Sequence, residues 1–134
     1  MSKLFGEFFY EWQHKPLVVA GKAMEYYGLR DGGDDVDLVV SVKDFHGLYL
    51  LYPNKQAIAP LGDAMMKVKQ FECYLRCFGL EYDDLLIGAQ EQEDHFVAGL
   101  PMLLQLAAMT WVRCPDHRFR QDIMLLVKGM NLEA

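Results

Sequence analysis

The sequence predicts an α+β fold: a small mixed β-sheet with helices packed mainly on one face, in one domain spanning residues 1–134. Three observations lead there. Helix-like and strand-like periodicities interleave along the chain instead of separating into blocks. The 134 residues supply one hydrophobic core and not two. The composition is 52% apolar, which favours a globular chain over a disordered one.

The elements follow in order. Leu4, Phe5, Phe8, Phe9 and Trp12 recur at helical spacing, which predicts an amphipathic helix over Leu4 to Trp12. Pro16 breaks it. Leu17 to Ala20 is a short apolar strand, and Gly21 lets the backbone bend sharply or lets a ligand approach the amides. Lys22 to Tyr27 is helix-like, with Gly28 as its stop. Asp31 to Asp34 is a glycine-rich acidic turn. A second strand runs from Asp35 to Ser41. Val42 to Tyr52 is a helix capped by Ser41. Pro53, Asn54 and Pro60 break the chain. Gly62 to Lys69 is ambiguous, with Ala64, Met65 and Met66 leaning towards helix. Phe71 to Phe78 and Leu80 to Ile87 are expected as two strands around a turn at Gly79. Gln90 to His95 is a polar connection. Leu100 to Val112 is an apolar helix with Pro101 in its first turn. Arg118 to Lys128 is a last helix, closed by Gly129.

Net charge is −6, from 19 acidic and 13 basic residues, which argues against a generic nucleic-acid or anionic-membrane surface. No apolar run has the length of a membrane span, and the N-terminal stretch MSKLFGEFFYEWQHK lacks the features of a signal peptide, so a cytoplasmic location is expected. Cys73, Cys77 and Cys114 have no CxxC spacing and are expected as reduced thiols.

Asp35 and Asp37 are the strongest candidates for chemistry. Side chains alternate across a strand, so both carboxylates share one face, with Cα atoms roughly 6–7 Å apart. Two carboxylates so placed repel each other, and a divalent cation removes the repulsion; Mg²⁺ in phosphate chemistry is commonly held by one or two carboxylates and the substrate phosphates. On spacing alone the solvent face of an edge strand is the better reading, because D-x-D is common. The glycine at a strand end 14 residues earlier, with a helix between, favours the functional reading.

That arrangement, Val18-Val19-Ala20-Gly21 followed by Asp35-Val36-Asp37-Leu38, resembles the signature of the nucleotidyltransferase superfamily, the polymerase-beta-like fold. It is most similar to small bacterial members, including toxin-type nucleotidyltransferases of toxin–antitoxin systems. Tyr27-Gly28-Leu29 fits them too, and the Arg118 to Leu126 segment with Asp122 loosely resembles their C-terminal part. The similarity is good over residues 17–41 and loose elsewhere.

The resemblance implies Mg²⁺-dependent transfer of a nucleoside monophosphate from a nucleoside triphosphate to an acceptor left open by the sequence. Asp35 and Asp37 would be metal ligands, with a two-metal site possible, and Gly21 and Lys22 would lie near the triphosphate. Asp84 in Asp84-Leu85-Leu86 best matches the family's third carboxylate; Asp83 is a further candidate, and strand alternation favours Glu81. The chain departs from the family at three positions: Lys22 replaces a small residue, and Asp31 and Gly33 stand where an Arg and a Ser or Thr are frequent. Lys22 either binds triphosphate as a point charge or pairs with Asp35 or Asp37 in the metal's place. The second case describes a catalytically silent binding or regulatory module, as a homo-oligomer or with a small protein partner, as in a toxin–antitoxin pair.

Overall fold

The computed structural model describes Phe5, Phe8 and residues 10–133, with side chains described as far as Asn131. Among these residues the architecture is α+β, with five helices, a seven-stranded mixed sheet and a two-stranded hairpin. Strand β1 (Leu17–Val19) leads directly into α1 (Ala20–Tyr26), and β2 (Val36–Val39) into α2 (Val42–Leu51). Three more strands follow: β3 (Gln56–Ile58), β4 (Ala64–Val68) and β5 (Phe71–Tyr74). The hairpin is β6 (Arg76–Cys77) with β7 (Leu80–Glu81), followed by the single turn of α3 (Tyr82–Leu85). Strands β8 (Gln90–Glu91) and β9 (Phe96–Val97) precede the long pair α4 (Leu100–Arg113) and α5 (His117–Glu133).

The sheet order is β3-β4-β5-β2-β1-β9-β8. β1 lies antiparallel to β2, with Val19 opposite Asp37, and parallel to β9; β2 is parallel to β5. Val18, Val36, Leu38, Cys73 and Met66 are buried together in the core. The Phe5 and Phe8 rings pack on Phe71, with centroids 5.8 and 4.7 Å away.

Several local expectations change. Around Leu4 to Trp12, Phe5 is in a turn, and Phe8 and residues 10–12 are not helical; Leu4 and Phe9 lie outside the described residues. The described aromatics Phe5, Phe8 and Trp12 pack on one another and Phe5 and Phe8 on Phe71, and beyond them the amides of Gln13 and His14 bond to the Asp44 carboxylate. Ala64 to Val68 is a strand. Its methionines favour a helix only weakly, and pairing with β5 buries Met65, Met66 and Val68 instead. Leu80 to Ile87 is not one strand. Glu81 and Asp84 form a reciprocal capping box that starts α3, and Tyr82 and Leu85 are buried at i, i+3 spacing. Helix α5 continues through Gly129, where an added Cβ would meet Leu29 Cδ2 at 2.9 Å. That glycine is a notch for a side chain and not a helix stop.

Gly21 and Gly32 let α1 and the acidic turn touch backbone to backbone. A Cβ on Gly21 would lie 2.5 Å from the Gly32 carbonyl oxygen, and a Cβ on Gly32 2.7 Å from the Gly21 carbonyl oxygen. Neither neighbour is a flexible side-chain end that can swing aside. Gly21→Ala is therefore expected to destabilise the fold by about 1–3 kcal/mol, the usual cost of overpacking. Urea denaturation measures it, and an unchanged midpoint would mean that the turn yields freely.

Candidate functional site

A cavity of about 510 Å³ lies between the sheet, the β1–α1 junction and the α4–α5 pair. Asp35 and Asp37 both line it, as do Ala20, Gly21 and Gly32. The structure thus brings together the acidic pair and the glycine that the sequence singles out. Asp35 precedes β2 and is exposed; Asp37 is the second residue of the strand and half-buried.

Strand register adds two residues. Glu72 on β5 is the cross-strand partner of Asp37, and Lys67 on β4 is the partner of Glu72. The three side chains form a row across one sheet face. Lys67 Nζ bridges Asp35 (3.3 Å) and Glu72 (3.1 Å). Among the described residues, Asp37 has no ion pair. Burial first, then repulsion by Glu72 and Asp35, pushes the Asp37 carboxyl up to about 7, with Lys67 only partly offsetting this. A carboxylic acid displaced that far, in a cavity wall, is a functional-site signal with a stated cause.

Backbone strain marks the same place. Ala20 and Phe78 are non-glycine residues with φ of +56° and +54°, and both line the cavity. Phe78 and Gly79, both at positive φ, make the two-residue turn of the β6–β7 hairpin. Strain of this kind costs on the order of 1–3 kcal/mol per residue and gathers at ligand sites. The Arg113 guanidinium lies over the Phe78 ring, 4.7 Å from its centroid. Near it, burial and then the charges of Asp63 and Asp37 push the Cys77 thiol up to about 12.

The remaining expected residues lie elsewhere. Lys22 is not in the cavity wall; its ammonium sits 3.5 Å from Glu25, one turn along α1. The bridging lysine is Lys67. Asp84 is also outside the wall, where its carboxylate accepts the Glu81 amide at 3.0 Å, and Glu81 and Asp83 are likewise absent from the wall. The carboxylate next to Asp37 across the strands is Glu72, itself outside the wall, and Asp63 is a further carboxylate within it. The face of Gly21 lies against the Gly32 carbonyl rather than open space. Arg30 and Asp122 form a bidentate pair at 2.7 and 2.9 Å that ties the acidic turn to α5.

Asp35, Asp37 and Glu72 supply hard oxygen donors of the kind Mg²⁺ takes, and two carboxylates with substrate phosphates are a usual Mg²⁺ set. Among the described residues, no three His, Cys, Asp or Glu side chains are grouped so as to hold a metal by themselves. No described helix is long and apolar enough to cross a membrane. Comparison of the chain with models of known protein families, with characterised proteins and with solved structures gives no match.

Proposed function

We propose that the cavity is the site of Mg²⁺-dependent nucleotidyl transfer, moving a nucleoside monophosphate from a nucleoside triphosphate to an acceptor hydroxyl. The observation that carries this reading is Asp37: a half-buried carboxylate without an ion pair among the described residues, beside Asp35 in a cavity that also reaches Gly21. Asp35 and Asp37 would hold the metal, and Glu72, the cross-strand neighbour of Asp37 although outside the cavity wall, would stand third in place of Asp84. Bound Mg²⁺ supplies charge neutralisation for the phosphate oxygens. The chain's own part is to position the substrate and exclude water. Leu103, Leu106 and Leu126 make the opposite wall apolar, which strengthens every charge interaction inside it. A cytoplasmic setting accompanies this reading.

Incubation with labelled nucleoside triphosphates, Mg²⁺ and candidate acceptors tests it. Asp35→Asn and Asp37→Asn should each lower transfer by roughly two to three orders of magnitude, or ~3–4 kcal/mol of barrier. Transfer that persists in both variants would place the chemistry on other residues.

Lys67 supports a second reading, a catalytically silent binding or regulatory module, as a homo-oligomer or one half of a toxin–antitoxin pair. A lysine bridging Asp35 and Glu72 occupies part of the space a metal needs, and Lys22, Asp31 and Gly33 depart from the active pattern. Calorimetric titration with Mn²⁺ and with a nucleoside triphosphate separates the readings. Heat from neither ligand favours the silent module, and a small cognate gene beside this one would favour the paired system.

A further inference from the structure

The cavity joins apolar walls to an excess of negative charge. Leu103, Leu106 and Ala107 of α4, Leu126 of α5 and Phe78 of the hairpin face it with hydrocarbon. Among the described residues, its charged lining is four carboxylates (Asp35, Asp37, Asp63 and Asp122) and two guanidinium groups (Arg30 and Arg118), with no lysine. Both arginines are already engaged. Arg30 is held by both oxygens of Asp122, and Arg118 contacts both oxygens of Asp116 at 3.1 and 3.2 Å. Asp122 is thereby balanced, and Asp35 is partly balanced by Lys67. Asp37 and Asp63 remain; among the described residues, Asp63 accepts only a long 3.5 Å hydrogen bond from the Phe78 amide. The Cys77 thiol stands in the field of both of these carboxylates.

Charge complementarity then selects the occupant. Without a bound metal ion to offset the carboxylates, an anion meets repulsion and finds each arginine already paired. A neutral apolar molecule satisfies the hydrocarbon and leaves two carboxylates facing it. A cation with an apolar body satisfies both, and the low-dielectric walls strengthen its attraction to the carboxylates. A volume of about 510 Å³ falls within the roughly 300–1,000 Å³ of small-molecule sites. We propose that this cavity binds a small organic cation with an apolar body, its ammonium group at Asp37 and Asp63 and its body against Leu103, Leu106 and Ala107. Binding alone is inferred; no bond is made or broken.

Calorimetry at pH 8 with three probes of one shape tests this: phenethylammonium, neutral phenethyl alcohol and anionic phenylacetate, in buffer free of nucleotide and metal. Phenethylammonium should bind with a dissociation constant on the order of 1 mM or below. It should bind about tenfold more tightly than the alcohol, with phenylacetate weakest. Asp63→Asn should remove most of that preference while leaving the alcohol unaffected. Ala107→Trp, which fills the apolar part, should abolish binding of both. Thermal melts establish that each variant folds, and either variant alone is decisive if the other does not. Equal or tighter binding of the alcohol or phenylacetate, an unchanged preference in Asp63→Asn, or no saturable binding of phenethylammonium would overturn the proposal. The probes contain no phosphate, so ammonium binding without nucleotidyl transfer leaves this inference standing and removes the proposed activity. Transfer without ammonium binding does the reverse.

Discussion

Asp44→Ala should destabilise the protein by ~3–5 kcal/mol, a large part of the 5–15 kcal/mol that holds a typical domain together. Asp44 is fully buried, yet its carboxylate has no unmet need. Oδ1 accepts from the Tyr10 hydroxyl and the Gln13 amide, both at 2.8 Å. Oδ2 accepts from the His14 amide at 2.9 Å and the Ser41 hydroxyl at 3.2 Å. The residue sits in the first turn of α2, whose positive end favours a negative charge. Ser41 completes the arrangement by capping the same helix, accepting the Asp44 amide. Removing the carboxylate strands a phenol and two backbone amides, each costing roughly 1–3 kcal/mol once buried without a partner. Asp44→Asn should be nearly as harmful. Four donors converge on this carboxylate, and the amide nitrogen of Asn would add a fifth donor where two acceptor positions were. Urea denaturation at neutral pH is the measurement. A loss under about 1 kcal/mol in either variant would mean that the segment from Tyr10 to His14 does not depend on this carboxylate. The same clamp leads the chain into β1 and so fixes the strand that runs beside Asp37.

The parts of the site legible in the sequence are those encoded within one continuous stretch. Leu17-Val18-Val19 is an apolar run between Pro16 and Gly21, so it becomes a buried strand. Val36 and Leu38 alternate with Asp35 and Asp37, so β2 turns Val36 and Leu38 to one buried face and Asp37 to the other, where Val39 is buried too. Ser41 caps α2 as its position suggests. What the sequence concealed arises between strands that are distant in the chain. Lys67 and Glu72 reach the acidic pair only because β5 lies between β2 and β4, with Glu72 in register with both Asp37 and Lys67. No local pattern carries that register. Met65 and Met66 obscured β4, since methionine serves a helix or a strand about equally well once buried. Asp84 is held away from the site by a local device: Glu81 and Asp84 are spaced as a capping box, and that box starts a helix where an alternating strand is expected. Gly21 is a necessary glycine, but the group that comes close to it is the chain's own Gly32 carbonyl.

Asp37→Asn is expected to stabilise the protein at pH 8 and to leave it nearly unchanged near pH 4. The native carboxyl titrates at about 7 against an ordinary 3.8, because burial, Glu72 and Asp35 all disfavour its charge. Below about pH 4 the group is protonated in both the folded and the unfolded chain, so it has no differential effect. Between about pH 4 and 7 the folded chain holds the proton and the unfolded chain releases it, so stability falls as pH rises. Above about pH 7 both forms are ionised and the penalty is constant. At 1.36 kcal/mol per unit, the shift sets an upper bound of ~4 kcal/mol, and relaxation of the half-buried side chain brings the expected gain to ~2–4 kcal/mol. Asparagine keeps the shape and removes the charge. The comparison is therefore urea denaturation of both proteins across pH 4–8, where the difference should open with rising pH and level off near 8. A difference that stays flat with pH would show that Lys67 already neutralises the group, contrary to its position between Asp35 and Glu72. The result also bears on function. If a bound cation needs that charge, as the proposed function requires, the same substitution should strengthen the fold while removing nucleotidyl transfer. Stabilisation with no loss of any ligand would leave Asp37 a costly carboxylate without a task, and the transfer reading would fall with it.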